Sequence, residues 1–157
     1  MKEISLSQDM IVLVDDEDFE YLSQWKWHLL RQKEPYAQYA IRHIWRNGKR
    51  TTISMHRQIL ETPKGMVSDH INGNGLDNRR ENLRICSQSN NSMNRKPQKG
   101  TSLYKGVTAD GNKWTARIKT LGKIYNLGTF NSEIEAARTY DSAAKKMFGE
   151  FARINGG

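Results

Sequence analysis

Four side chains in the run SDHINGNGLDNRRENLRICSQSNN have types and a spacing suited to chemistry on a phosphate ester: Asp69, His70, Asn82 and Asn91. An imidazole with an ordinary pKa near ~6.5 is neutral at pH 7 and available as a general base, which points to His70. Asp69 offers a carboxylate and Asn91 an amide oxygen, both hard donors. Magnesium is commonly held by one or two such ligands, with waters and substrate phosphate oxygens completing the shell. Neighbours on a regular strand face opposite ways, so Asp69 and His70 share a site only where the strand ends or bends. The Gly-Asn loop that begins at Asn72 supplies that ending. Asn82 then lies across a hairpin, where its amide can accept from the imidazole N–H and fix the ring.

The elements that must position these groups follow from local pattern. MVSDH and NLRIC read as two strands flanking a turn-rich loop, and Ser87 can cap a short helix over QSNNSMNR. Asn72, Asn74 and Asn78 read as turn formers, and His28 and His43 as structural; no spacing argument ties His56 to the site. Upstream, MIVLV is a strand and DDEDFEYLSQW an acid-led helix, its charge at the favourable end of the dipole. YAQYAIRHIWRNGKRTTISM gives two strands around Asn47-Gly48, with Trp25, Trp27 and Trp45 as core, and MHRQILE a short helix stopped by Pro63. Downstream of a polar linker, residues 103–155 give three strands and a helix. In KWTARIK, Trp114, Ala116 and Ile118 alternate with Thr115, Arg117 and Lys119, one apolar face and one basic. Ser132 and Glu135 form a capping box, Ala136, Ala137, Tyr140, Ala144, Met147 and Phe148 an inner stripe, and Gly149 the exit.

The expected class is α+β: an N-terminal α+β unit over 1–62, a strand–loop–strand–helix motif over 63–95, a linker over 96–102, and a three-stranded antiparallel sheet on one helix over 103–157. Hydrophobic residues are 36% of the 157, which points to small modules rather than one large core. The formal charge is +8, unevenly spread: residues 1–30 hold seven acids and two bases, a net −5, which leaves +13 on the remainder. A basic body of this kind suits a polyanion, DNA or RNA. The single cysteine, Cys86, excludes an intramolecular disulfide and a multi-cysteine zinc site. With no signal pattern at the start and no apolar run near the ~18 residues of a membrane span, the expected location is cytoplasmic, without membrane or small-molecule partners.

DHINGNGLDNRRENLR resembles the HNH motif of phage and intron-encoded homing endonucleases. The resemblance implies a ββα-metal fold with one divalent ion, Mg²⁺ or Mn²⁺. It also implies that Asp69 and Asn91 bind the metal, that His70 activates water, and that Asn82 orients His70. Arg79, Arg80 and Arg84 are then placed to clamp phosphate, although a solvated basic loop explains them equally well.

The C-terminal stretch is similar to the Apetala-type, or ethylene-response-factor, DNA-binding domain, on YKGV, KW, LGTF, AARTYDSAA, FG and ARIN. That family's sheet reads the major groove, which admits a β-ribbon. The strand alternation points Arg117, Lys119 and Asn126 away from the helix, onto the binding face, while Lys105 and Thr108 fall at that family's contact positions and Lys123 is placed to meet phosphate. Asn126 replaces a tryptophan of the plant domains, and Thr108 and Asp110 replace arginines, so the plant target sequence does not transfer. The expected protein is therefore a DNA endonuclease of homing type, a nicking monomer or weak dimer on double-stranded DNA. The rival is a non-cleaving DNA-binding regulator, against which the intact set Asp69, His70, Asn82 and Asn91 argues.

Overall fold

The computed structural model describes residues 1–31, 38–95 and 100–156, with helices and several small antiparallel sheets in an α+β arrangement. The chain forms two compact units, Met1–Asn91 and Ser92–Gly157. Most of the expected linker, residues 96–99, lies outside the described residues, as do Tyr36 and Ala37 at the start of one expected strand.

In the first unit, β1 (Lys2–Ser5) pairs antiparallel with β2 (Ile11–Val14), and the acid-led helix α1 spans Asp16–Leu22. β3 (His28–Arg31), β4 (Gln38–Arg46) and β5 (Lys49–Ser54) form a meander in that order. Its β4–β5 turn is Asn47-Gly48, both at positive φ (49° and 70°), the geometry that suits a right-twisted hairpin. Helix α2 (Met55–Ile59) follows. β6 (Val67–His70) then pairs antiparallel with β7 (Leu83–Cys86), and α3 (Gln88–Met93) comes next, its Asn90 N–H capped by the Ser87 hydroxyl at 3.1 Å. One apolar cluster joins Val12, Val14, Leu22, Trp27 and Met55 to Leu76 and Leu83. The N-terminal segment therefore packs directly under the β6–β7 hairpin. Trp27 is fully buried, but Trp45 is 75% exposed. It pairs with Arg50 near the turn, where the β4–β5 hairpin runs out beyond the core, so the expectation of three core tryptophans fails there.

In the second unit, β8 (Val107–Asp110), β9 (Lys113–Thr120) and β10 (Lys123–Phe130) form a sheet with β9 central, packed on α4 (Glu133–Phe148). Val107, Ala116 and Ile118 meet Ala136, Ala137, Tyr140, Ala144 and Phe148, and the alanines let helix and sheet approach closely. Gly106 sits at φ +75°, and a Cβ there would fall 2.1 Å from the Tyr140 ring. Two details depart from expectation. Ser132 is the α4 N-cap but its hydroxyl makes no capping bond, and Met147 is exposed at the edge of the stripe.

Candidate active site and nucleic-acid face

β6 ends at His70, where the loop of residues 71–82 leaves the sheet. Asp69 stands opposite Arg84 and His70 opposite Leu83, and the Ile71 N–H bonds the Asn82 carbonyl at 2.9 Å, so the hairpin neck brings Asp69, His70, Asn82 and Arg84 together. The loop is tied down by its own amides. Asn72 Oδ1 accepts from Asn74 N–H (2.7 Å), Asn74 Oδ1 from Leu76 N–H (3.1 Å), and Asp77 Oδ2 from Asn72 Nδ2 (3.0 Å). It is also stitched to β2: Leu13 N–H bonds Leu76 O (2.9 Å) and Asn78 N–H bonds Leu13 O (2.8 Å).

His70 is 5% exposed, and its Nε2 lies 3.3 Å from Asn78 Oδ1. With that oxygen accepting, Nε2 carries the hydrogen and the lone pair resides on Nδ1. Burial lowers the His70 pKa below the ordinary histidine value, opposed by the Asn78 bond and by Asp69 and Asp77. The ring is neutral at pH 7 as a result. The amide against the imidazole is thus that of Asn78, which is fully buried. The Asn82 amide is engaged elsewhere: Oδ1 accepts from Asn72 N–H (3.0 Å) and Nδ2 donates to Asp77 O (2.7 Å). Asn82 braces the loop because its side chain crosses the neck toward backbone rather than toward the ring.

Asp69 is buried, and its Oδ2 accepts from Arg84 Nε (3.1 Å) and Nη2 (2.8 Å). Arg79 grips Asp77 through Nε and Nη2, both at 2.8 Å, and also reaches Glu81. Arg80 grips Asp18 through Nε (2.8 Å) and Nη2 (2.7 Å) and reaches Glu17, while its N–H bonds Asp15. All three arginines expected to face phosphate are therefore engaged with carboxylates of their own chain. Asn91 is half-buried on α3, its N–H bonded to Ser87 O at 3.0 Å.

His56, on α2, packs edge-on against His70, ring centroids 4.8 Å apart, with Tyr39 at 5.3 Å. It is 9% exposed, and its Nδ1 has no hydrogen-bond partner. Burial, followed by His70 and Arg57, lowers its pKa to about 3.

In the second unit, strand register sorts the expected contact residues. Arg117 pairs with Asn126, Lys119 with Ile124 and Thr115 with Thr108, so Thr108, Arg117, Lys119 and Asn126 share the face away from α4, and all four are exposed. A bulge between Asn126 and Gly128 is closed by the Asn126 side chain on Gly128 N–H (3.1 Å). Lys123 is exposed at the start of β10, on the alternate parity. Lys105 departs from expectation. It precedes β8, its ammonium donates to the Met93 carbonyl, and its backbone is bonded by Asn155. Burial and Arg153 lower its pKa to about 8. It is turned into the fold rather than onto the exposed face. Ile124, 66% exposed beside Lys119, is an apolar member of that face that charge-based reading passed over.

The family model described as HNH endonuclease matches residues 61–93, which contain this hairpin and helix. An uncharacterised HNH endonuclease of Acanthamoeba polyphaga mimivirus is 30% identical over 141 residues, covering 85% of this chain and 68% of the viral protein. The chain belongs to the HNH endonuclease family. Protein 3.8 of Escherichia phage T7 is 32% identical over 107 residues, 63% of this endonuclease and 88% of the phage protein. Dehydration-responsive element-binding protein 2C of Arabidopsis thaliana is 44% identical over 62 residues, 38% of this chain and 18% of the plant protein. The plant similarity extends over part of the chain only, and the Apetala-type resemblance stands on it.

HNH nucleases generally use a divalent metal ion. Among the described residues of this endonuclease, no group of three or more His, Cys, Asp or Glu could hold a metal. The Asp69 carboxylate and the Asn91 amide are both hard oxygen donors, the chemistry that a hard divalent cation takes. Two residues of this site escaped the sequence reading. Asn78 looked like its turn-forming neighbours, and only its burial distinguishes it. His56 is brought to His70 by tertiary packing that no local spacing encodes. Among the described residues, no helix is long and apolar enough to cross a membrane.

Proposed function

We propose that this HNH endonuclease is a metal-dependent DNA nuclease of homing type that nicks duplex DNA, with the C-terminal sheet reading the major groove. The observation that carries the proposal is the buried, neutral His70 at the end of β6, with Nε2 held on Asn78 and the lone pair on Nδ1. His70 takes a proton from the attacking water at Nδ1. Asn78 sets the tautomer and the ring's rotation, and Asn82 holds the loop that carries Asn78. Asp69, whose rotation Arg84 restrains, and Asn91 hold a divalent cation, probed first as Mg²⁺ and then as Mn²⁺. The chemistry that a cation supplies there is stabilisation of the charge growing on the phosphate and the leaving 3′ oxygen.

On the second unit, Arg117, Lys119, Thr108 and Asn126 meet base edges while Lys123 meets phosphate. The exposed face supports this, and so does the similarity to a plant protein named for binding a DNA element. One HNH site serves one strand, so a monomer nicks. The test is supercoiled plasmid incubated with magnesium or with chelator, for the wild type and His70→Ala. Magnesium-dependent open circle is expected from the wild type. Loss of a general base removes about 10²–10⁴-fold of rate, with DNA affinity kept. A His70→Ala protein cutting at the wild-type rate refutes His70 as the base.

A further inference from the structure

Outside the hairpin, the first unit carries a recess of about 340 Å³ lined by Tyr21, Arg42, Thr52, Ile53, Ser54, Arg57 and Gln58. It contains two guanidinium groups, three hydroxyls and no carboxylate. Its cations differ in kind from the arginines of the nuclease loop. Arg79, Arg80 and Arg84 are each paired with carboxylates, whereas no described carboxylate pairs with Arg42 or Arg57.

Arg42 is also held in place. Its guanidinium carbon lies 4.2 Å over the Trp25 ring, Trp25 is braced edge-on by Tyr21 (4.8 Å, 88°), and its Nε donates to Gln58 Oε1 at 3.0 Å. That arrangement commits Nε and the π-face and leaves both terminal amino groups without a described partner. Arg57 is fixed by the carbonyls of Met66 (3.1 Å) and Thr62 (3.5 Å), acceptors that hold it without neutralising it. At the same wall the Gln58 Nε2 is buried with no hydrogen-bond partner. Rigid, uncompensated guanidinium groups beside hydroxyl donors suit a tetrahedral oxyanion, and a planar guanidinium binds phosphate oxygens pairwise. Helix α2 joins this recess to the reacting centre, because Arg57 and Gln58 follow His56, whose ring packs on His70.

We propose that this recess is a subsite for a backbone phosphate of the nucleic-acid substrate, a non-reacting phosphodiester whose capture sets the strand's position on the first unit. The proposal rests on the nuclease reading above. It also makes Arg42 and Arg57, rather than Arg79, Arg80 and Arg84, the first unit's phosphate contacts.

Gln58→Glu tests it. The carboxylate keeps the acceptor for Arg42 Nε while cancelling one positive charge and repelling phosphate. Fluorescence anisotropy with a short duplex, in chelator so that nothing is cut, gives affinity against salt concentration. The expected result is several-fold weaker binding and a slope of log K on log salt shallower by about one unit, the signature of one lost phosphate contact. A Gln58→Glu protein that melts like the wild type and keeps both affinity and slope overturns the proposal. Arg57→Gln decides it by the same readout where Gln58→Glu fails to fold. If inorganic phosphate or a 5′-nucleotide raises the wild-type melting temperature while both variants bind duplex normally, the recess takes a free phosphate and the proposal is also overturned. Magnesium-dependent plasmid nicking by the wild type is scored separately. Intact nicking with unaltered variants sinks the recess alone, and absent nicking sinks the nuclease reading.

Discussion

Gly75 is where the geometry of the loop makes its most exacting demand, and Gly75→Ala is the perturbation that tests it. A Cβ on residue 75 would lie 2.1 Å from the Gln38 carbonyl oxygen and 2.8 and 2.9 Å from two Tyr39 ring carbons, where ordinary contact begins at 3.4 Å. The backbone of β4 is held there by its pairing with β3, Gln38 against Arg31 and Tyr39 against Leu30. The loop must therefore move, by about an ångström. Overpacking of this kind costs about 1–3 kcal/mol, and in a unit of this size each kcal/mol lowers melting by about 4–8 °C. The larger consequence is catalytic. Asn78 lies three residues on, in a loop cross-braced by Asn72, Asn74, Asp77 and Asn82, so the shift is passed to the Oδ1 that holds His70. A misplacement near 1 Å costs on the order of 10²-fold in rate. The assay pairs thermal melting with the initial rate of plasmid nicking in magnesium. Unchanged melting and unchanged rate would refute the packing of this loop on β4. Lowered melting with the full rate would refute the coupling of Gly75 to His70 through Asn78.

Two further outcomes are expected. His56 is held near pKa 3 in the folded protein and His70 is also lowered, against ~6.5 when unfolded. The folded state thus binds fewer protons, and this stability is complete above about pH 6.5 and is lost as pH falls toward 3. For His56 alone the full shift corresponds to at most about 5 kcal/mol. His56→Phe should move the acid-unfolding midpoint, followed by circular dichroism, to lower pH; a midpoint that stays put removes His56 as a source of acid lability. On the second unit, Arg117→Gln with Lys119→Gln should weaken duplex binding and flatten its salt dependence by up to about two contacts. Lys105→Met should leave that slope alone, because its ammonium is spent on Met93. A Lys105 effect as large as the double variant's would reverse the assignment of faces.

The order of elements was legible wherever a short apolar run met a strong turn signal. Asn47-Gly48, the Gly-Asn loop after His70 and the alternation in KWTARIK each mark an element whose pattern is local. What was not legible depends on tertiary partners. β1 buries one residue, Ile4, among exposed neighbours, so Lys2–Ser5 has no alternation to read until β2 pairs with it. Asn78 has the same composition as the turn around it, and its distinction is complete burial and a bond to Leu13 across the unit. Lys105 occupies a contact position of the resembling family, yet the carbonyl of Met93 and the amide of Asn155 draw it inward. The Ser132 capping box was expected from residue types alone. The acidic side chain that is engaged is Glu133, which accepts from the Ser102 hydroxyl at 2.6 Å.

Charge shows most clearly how composition and geometry part. A net −5 on residues 1–30 and +13 on the rest suggests an acidic segment lying apart from a basic, DNA-facing body. The structure divides the charges differently. Asp15, Glu17 and Asp18 of the acidic segment close on Arg80, and Asp77 and Asp69 close on Arg79 and Arg84. Those carboxylates are clamps on the nuclease loop rather than a shield over a binding surface, and the arginines they hold are structural cations. A buried carboxylate such as Asp18 would be costly alone, and a bidentate guanidinium offsets that cost while fixing the loop's position. The count of arginines in the motif therefore overstates the positive charge it offers to DNA. Cations with no described carboxylate against them include Arg42 and Arg57 on the first unit and Arg117 and Lys119 on the second. A nuclease loop that must hold His70 to within an ångström cannot also lend its own restraints to the substrate, which is the physical reason for proposing phosphate contacts on elements outside it.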